Sequence, residues 1–578
     1  MAFESECQRL LVAAIDFGTT YSGYAFSFRN DPMKVQTNQV WVAGSTPLIS
    51  LKTPTCILLN QRQEFHSFGY EAENYYTDLA LDGKHEEWYF FKNFKMLLHN
   101  TEGLKQNTNI EDISGRKMPA MRIFSLSIKY FKDHLMGILL NRVPGIVQED
   151  VHFVITVPAI WDDKAKQYMR DAAVKAEISN DQLSIALEPE AAAIWCQRIE
   201  LLNKSQPGSS SMEELFRPGI RYMVVDLGGG TVDIAVHEMK QDGSLGELHK
   251  ASGGPWGGTC VDRNFLDFIR KIVGQDVLVQ FARREMSDYI YLLREFETKK
   301  RTIRSNMDGK ITFRIPSSMI KMFEEKGVDI KSAISQSGFD GKVYWVGEKL
   351  RVDPCLVVKS FDESINSTLN LVRKLLGDPA LENVYTILLV GGFAQCELVQ
   401  DAFKSNFGRD KIIIPDKGEL AILNGAVIFG HVSKSITTRI ARFTYGTTAV
   451  SKFDHNIHPE EKREILNGEA VCRGTFDKYV EIGEALGVDH TVYKQVFPSD
   501  LSLNVLDFSL YISTDLSPRL VTEPSCRLLG TFTAPLPDGK TIYEMAVQSF
   551  MTFGDTELIF KVKHPNTGEE YKTYFKYE

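Results

Sequence analysis

Leu11-Val12-Ala13-Ala14-Ile15-Asp16-Phe17-Gly18-Thr19-Thr20-Tyr21-Ser22-Gly23-Tyr24-Ala25-Phe26 runs from an apolar segment through an aspartate and a glycine-threonine turn into a second apolar segment. The same order returns in Tyr222-Met223-Val224-Val225-Asp226-Leu227-Gly228-Gly229-Gly230-Thr231-Val232-Asp233-Ile234-Ala235-Val236. Short apolar runs bounded by glycine read as buried strands. Each unit therefore passes from strand to strand. Two such units, far apart in the chain, predict two related lobes that face one another.

The residue types in these turns suit a phosphate chain. Glycine lets backbone N–H groups come close to an anion. Threonine adds a hydroxyl. A nearby carboxylate can hold Mg²⁺ through water, because this ion prefers oxygen ligands and keeps part of its hydration shell. Asp16 stands with Gly18, Thr19 and Thr20, and Asp226 with Gly228, Gly229, Gly230 and Thr231. Either unit alone reads more readily as an ordinary hairpin; the repeat with aspartate in the same place favours the phosphate reading. A Walker loop or a Rossmann fingerprint passes from strand to helix. Neither that passage nor a G-x-x-x-x-G-K-[ST] run is found here.

The chain has 578 residues, too many for one ordinary core, so two or more domains are expected. Hydrophobic residues make up 43% and charged residues 24%. A net charge of −9 argues against nucleic acid as the main partner. No apolar run reaches the ~20 residues of a membrane span, and Met1 to Glu6 shows no signal-peptide pattern. The eight cysteines are scattered without a C-x-x-C pair, so free thiols are expected, in a cytoplasmic protein with nuclear access.

Met121 to Leu140 has helical periodicity, and Phe153 to Val157 reads as a buried strand. A helix is expected over Asp162 to Lys175, capped by Asp162 or Asp163. Glu188 to Trp195 reads as a loop entering a helix, and Asn203 to Gly219 as a surface loop. Asp262 to Lys300 reads mostly as helix, Thr386 to Gly392 as a strand ending in glycines, and Glu397 to Asn406 and Leu420 to Phe429 as helices. From about Phe443 the texture alternates, with strands expected at Leu501 to Leu506, Phe508 to Ser513 and Leu558 to Lys563, and turns at Pro537 to Gly539 and Asn566 to Gly568.

The strand-to-strand phosphate turns resemble those of the actin, sugar-kinase and heat-shock ATPase superfamily. Asp16-Phe-Gly-Thr-Thr-Tyr-Ser22 and Asp226-Leu-Gly-Gly-Gly-Thr-Val-Asp233 resemble the phosphate motifs of the 70-kDa heat-shock proteins. So, in family order, do Ile155-Thr-Val-Pro-Ala159, Glu188-Pro-Glu-Ala-Ala-Ala193, Trp256-Gly-Gly258, Glu297-Thr-Lys-Lys-Arg-Thr302, Leu389-Val-Gly-Gly-Phe393 and Asn424-Gly-Ala426. Arg527 to Phe532, Pro535 to Gly539 and Gln548 to Leu558 resemble the end of that family's β-sandwich. The family's helical lid has no counterpart before Glu578, and the whole is most like the divergent heat-shock 70-kDa protein 12 branch.

The resemblance implies an α/β, two-lobed actin-like (ribonuclease H-like) ATPase domain over about 1–432, with lobes of about 1–205 and 217–432. A linker at 433–442 and an all-β, sandwich-like domain at 443–578 would follow. It implies ATP or ADP with Mg²⁺ as cofactors, held through water by Asp16 and Asp226. Gly18, Thr19, Thr20 and Tyr21 would cradle the phosphates with Gly228, Gly229, Gly230 and Thr231; Gly257 and Gly258 would contact the nucleotide. Glu188 would position a water. Lys95, with Lys92 as the alternative, would orient the attacking water and offset phosphate charge; a solvated helix lysine is the plain reading of Lys95. Asp233 would accept a proton or stand as a structural strand-end aspartate. Glu297 and Lys300 would bond the ribose, Arg301 would stack on the base, and Gly391 and Gly392 would pack flat against it.

Phe393 stands where the family has a hydroxyl residue, and Arg304 replaces a small one, which alters the base pocket. The family's acidic leucine-rich linker is replaced by the basic, polar Val432 to Phe443, so no docking linker strand is expected unless Ile436, Ile440 and Phe443 dock instead. The implied partners are protein clients or signalling partners at the β domain, together with an exchange factor; stimulation by a J-domain partner is not expected with this linker. The alternatives are a nucleotide-sensing scaffold without turnover, a sugar or small-molecule kinase, and an actin-like filament former.

Overall fold

A computed structural model describes residues 7–38, 41–42, 49–99, 104–203, 217–327, 329–432, 435–466, 468–499, 502–539, 541–553 and 556–573. Most of the loop expected at Asn203 to Gly219 lies outside these residues.

The first quoted stretch folds as β1 (Leu11–Phe17) and β2 (Tyr21–Phe28), paired antiparallel from Leu11↔Phe28 to Phe17↔Ser22. Every residue of β1 is buried, which explains its unbroken apolar run. Next to β1, in parallel, lies β3 (Val151–Val157). Helix α1 (Asp163–Lys175) follows, with Asp162 as its N-cap: the side chain accepts from Ala165 N–H at 3.0 Å, one of the first-turn donors a helix leaves unpaired. Strand β4 (Leu183–Leu187) then joins β3, again parallel.

Helix α2 (Glu188–Asn203) begins directly at Glu188, not after the expected loop. Its N-terminal carboxylates, Glu188 and Glu190, suit the positive end of the helix dipole. The second stretch repeats the first as β5 (Arg221–Leu227) and β6 (Val232–Met239), paired from Arg221↔Glu238 to Leu227↔Val232. Strand β7 (Leu245–Gly254) extends that sheet. The expected long helix at 262–300 is broken. Helix α3 (Gly258–Val273) stops at Gly274, whose φ of 85° ends the helical path. A short helix (Gln275–Arg284) intervenes before α4 (Met286–Lys300). Strand β8 (Val384–Val390) lies parallel to β5, as β3 does to β1.

Helix α5 (Ala421–His431) lies against α2 between the two sheets. One core contains Val12 and Ala14 of β1, Ala191 to Ile194 of α2, Val224 of β5, Leu388 of β8 and Leu423 to Phe429 of α5. At the crossing, a Cβ built on Gly425 would stand 1.7 Å from the Ala191 carbonyl oxygen. Only glycine permits that approach.

The linker reading is corrected by β9 (Ile436–Ile440), which pairs in parallel with β7 and antiparallel with Ala485–Gly487. Ile436 is fully buried, worth about 2 kcal/mol of apolar transfer. The basic character is also accommodated: Arg439 donates to Glu190 at 2.8 and 2.9 Å, and Arg442 to the Ala159 carbonyl at 2.9 Å. Ile436, Thr437, Thr438 and Ile440, all β-branched, form the strand, and arginines replace leucines in fastening it.

Beyond it, the described elements are strands apart from one 3-10 turn at Glu460–Lys462. Apart from Ala485–Gly487, which pairs with β9, they form a five-stranded and a four-stranded antiparallel sheet, which share a core including Leu510, Ile512, Met551 and Phe560. Leu501 lies outside the described residues and Ser502 to Asn504 are not strand; the separate strand expected there merges into Val505–Ser513. This region touches α1: Arg170 Nε lies 2.6 Å from Glu557 Oε1, Arg527 Nη2 2.7 Å from Asp162 Oδ2, and Tyr445 OH 2.9 Å from Asp163 Oδ2. All eight cysteines are free thiols. Among the described residues no helix is long and apolar enough to cross a membrane.

Candidate functional site: a cavity between two glycine turns

The β1–β2 and β5–β6 turns face each other across a cavity of about 480 Å³. Their separation leaves no room for side chains on the second turn. A Cβ on Gly229 would lie 2.1 Å from Thr20 Oγ1, and one on Gly230 would lie 2.5 Å from Thr19 Oγ1. Around the cavity stand Asp16, Gly18, Thr19, Thr20, Tyr21, Lys95, Glu188, Asp226, Gly228, Gly229, Gly230, Thr231, Gly258, Glu297, Lys300, Arg301, Gly391, Gly392 and Phe393. All of these are candidates from sequence. The structure brings them together from both sheets, from α2, α3 and α4 and, for Lys95, from the 3-10 segment Phe94–His99.

Lys95 is a buried cation of the cavity. Its side chain is 3% exposed and its Nζ donates to Glu188 Oε1 at 2.7 Å, so it is not a solvated lysine. Lys92 instead pairs with Glu73 at 2.8 Å. The carboxylates differ in character. Burial pushes the Asp16 carboxyl upward, but the charges of Lys52 and Lys95 outweigh it and hold the group below its usual range. Burial lifts Glu188, against the pull of Lys95. Burial and the charges of Glu188, Asp233 and Asp16 push Asp226 well up.

Asp226 Oδ1 is buried with no hydrogen-bond partner. A buried carboxylate in that condition, among other acids, is a place for a cation. Among the described residues no group of three His, Cys, Asp or Glu could ligate an ion directly, so coordination there would run through water, as Mg²⁺ favours. The residues fit a hydrated divalent ion on the Asp226 side.

Toward the other end, Lys300 Nζ lies 2.6 Å from both Glu297 and Asp262. Arg301 pairs with Glu297 at 2.8 Å and lies 5.3 Å from the Tyr21 ring centroid. Phe393 stacks on Phe361, centroids 6.2 Å apart.

Three sequence candidates lie off the cavity wall. Gly257 supports the turn: its N–H donates to the Gly230 carbonyl at 3.2 Å, and its own Cβ would strike Gly228 O at 2.7 Å. Asp233 is fully buried beside the site and accepts from Ile160 N–H at 2.8 Å; burial and the Glu188 charge push it up to about 7. Arg304 points outward, its side chain 63% exposed and 3.0 Å from Glu397, because α4 ends at Lys300 and the chain leaves the cavity there.

Sequence reasoning missed Leu51, Lys52, Gln395, Cys396, Glu419, Leu420 and Ile422, which also line the cavity, and Thr156, whose Oγ1 donates to Asp16 Oδ1 at 2.8 Å. Of these, Thr156 lies inside the Ile155 to Ala159 motif, which could have marked it. Lys52 has no local signal.

Comparisons with known proteins agree with this geometry. The family profile described as Hsp70 protein matches residues 105–441. The chain is 32% identical to human heat shock 70 kDa protein 12B over 95% of its length and 88% of that protein. It is 34% identical to heat shock 70 kDa protein 12A of mouse and of human, over 95% of its length and 89% of each relative. With its paired glycine turns, interposed helices and near full-length relatives, the chain belongs to the 70-kDa heat-shock protein family, most like its heat-shock 70-kDa protein 12 branch.

Proposed function

We propose that this chain binds ATP or ADP with hydrated Mg²⁺ between the glycine turns, hydrolyses ATP slowly, and uses the nucleotide state to govern protein recognition by its C-terminal β region. The observation that carries this is the buried Lys95–Glu188 pair set between two phosphate-type turns in one cavity. In the proposal, Gly18 to Tyr21 and Gly228 to Thr231 hold the phosphates, and Asp16 and Asp226 face the metal. Bound magnesium offsets phosphate charge. Lys95 and Glu188 orient the attacking water, Thr231 reaches the terminal phosphate, and Asp233 takes up a proton through the site. Glu297, Lys300, Arg301, Gly391, Gly392 and Phe393 enclose the nucleoside.

The domain reading accompanies it: a nucleotide-binding domain over about 1–432, a linker at about 433–442 and a partner-binding β-sandwich from about 443. The docked β9 and the Arg170–Glu557 contact supply a physical path between the two. A cytoplasmic protein with client or signalling partners and an exchange factor fits this reading.

A second reading, a nucleotide-sensing scaffold with little turnover, is favoured by the engagement of both Asp16 oxygens, one by Lys52 at 2.5 Å and one by Thr156 at 2.8 Å. Single-turnover assay with γ-labelled ATP separates the two. Phosphate release above a Lys95→Ala, Thr231→Ala control supports hydrolysis; release equal to that control, with nucleotide still bound, supports the scaffold. Asp226→Asn should weaken the holding of Mg²⁺ at the nucleotide site, and an unchanged calorimetric Mg²⁺ affinity would remove Asp226 from the site.

A further inference from the structure

Lys52 has no role in the reading above, yet it occupies a decisive place. Its Nζ lies 2.5 Å from Asp16 Oδ2, with side chains 17% and 6% exposed. Asp16 Oδ1 is engaged by Thr156. Asp226 Oδ1, across the cavity, has no partner. A hydrated ion shared by the two aspartates would thus meet one open carboxylate and one already neutralised.

Lys52 also lines the cavity with Lys95 and both glycine turns. An ammonium is a compact charge with three N–H donors on a flexible stem. It serves phosphate as well as carboxylate. The same ammonium can therefore serve either anion.

We infer that Lys52 is a resident counter-ion of the phosphate site. It neutralises Asp16 when no metal is held and donates to nucleotide phosphate, so ADP and ATP bind with little dependence on Mg²⁺. Lys52 must leave Asp16 before a metal can be held there. This rests on nucleotide occupying the cavity.

The test is calorimetric titration of the full chain with ADP and with ATP, each in magnesium chloride and in EDTA. Wild-type affinity should change less than about tenfold between the two conditions, and Lys52→Arg should behave alike. Lys52→Gln should bind at least about 100-fold more weakly in EDTA and recover most of that loss in Mg²⁺. Loss of wild-type binding in EDTA overturns the inference, as does a Lys52→Gln variant with wild-type metal dependence. Absence of binding in both conditions removes the nucleotide reading itself and this inference with it. Should thermal melting show Lys52→Gln unfolded, wild type and Lys52→Arg decide.

Discussion

Lys95 and Glu188, 93 positions apart in the chain, meet at 2.7 Å with both side chains out of solvent. Removing one partner leaves the other charge buried and alone, which typically costs about 3–5 kcal/mol. Lys95→Ala should therefore lower the apo protein's stability by about 3 kcal/mol, and the Lys95→Ala, Glu188→Gln double variant by less. Denaturant unfolding checks the order. In single turnover, Lys95→Ala should cut phosphate release by at least about 100-fold if Lys95 orients the reacting groups; an unchanged rate would make the pair purely structural.

Gly391 has φ of 89°, and a Cβ there would stand 2.3 Å from Asp226 Oδ1. Gly391→Ala combines a disfavoured backbone conformation with a collision against the carboxylate. Nucleotide affinity should fall by at least about 100-fold, read by calorimetry. Gly392, with open space around its Cβ position, is the control: Gly392→Ala should fold normally.

Docking of β9 should depend on pH. Glu247 Oε2 accepts from Ile440 N–H at 2.9 Å. Burial, with the Glu190 charge adding to it, pushes Glu247 from 4.5 up to about 7. Its docked value is raised, so the stabilisation is fully present below about 4.5 and is lost as pH rises through about 7. The exchange protection of the Ile440 amide, corrected for intrinsic rate, should fall between about pH 6 and about pH 8. Glu247→Gln keeps an acceptor oxygen without the charge and should flatten that profile.

The contact between the β region and α1 has its own probe. Arg170 donates to Glu557 from a nearly buried position, its side chain 4% exposed. Arg170→Ala removes a nearly buried guanidinium from Glu557 and should release the β region, raising the radius of gyration in small-angle scattering. Arg527→Ala should do so more weakly, because that guanidinium is 42% exposed.

Much of the site was legible because it is local. In Asp16 to Tyr21 and Asp226 to Thr231, the strand, the turn and the chemistry are adjacent in sequence, and glycine marks where backbones approach. Lys52 was not legible, because nothing beside it announces a phosphate site and only the pairing of Thr53–Pro54 with β2 carries it to Asp16. The Lys95–Glu188 partnership is equally remote in sequence. Arg304 lies off the cavity, which the basic run does not show: Lys300 and Arg301 line it, while Arg304 pairs with Glu397 outside it. The linker strand was legible only as the alternative in which Ile436 and Ile440 dock, because leucine is the expected docking residue and β-branched residues with paired arginines do the same work.

The near contact of Gly425 with the Ala191 carbonyl has a mechanical consequence. With backbone against backbone, no side chain cushions the crossing, and neither helix can slide past the other. Any widening of the cavity that keeps α2 and α5 packed must pivot there, like scissor blades about a rivet.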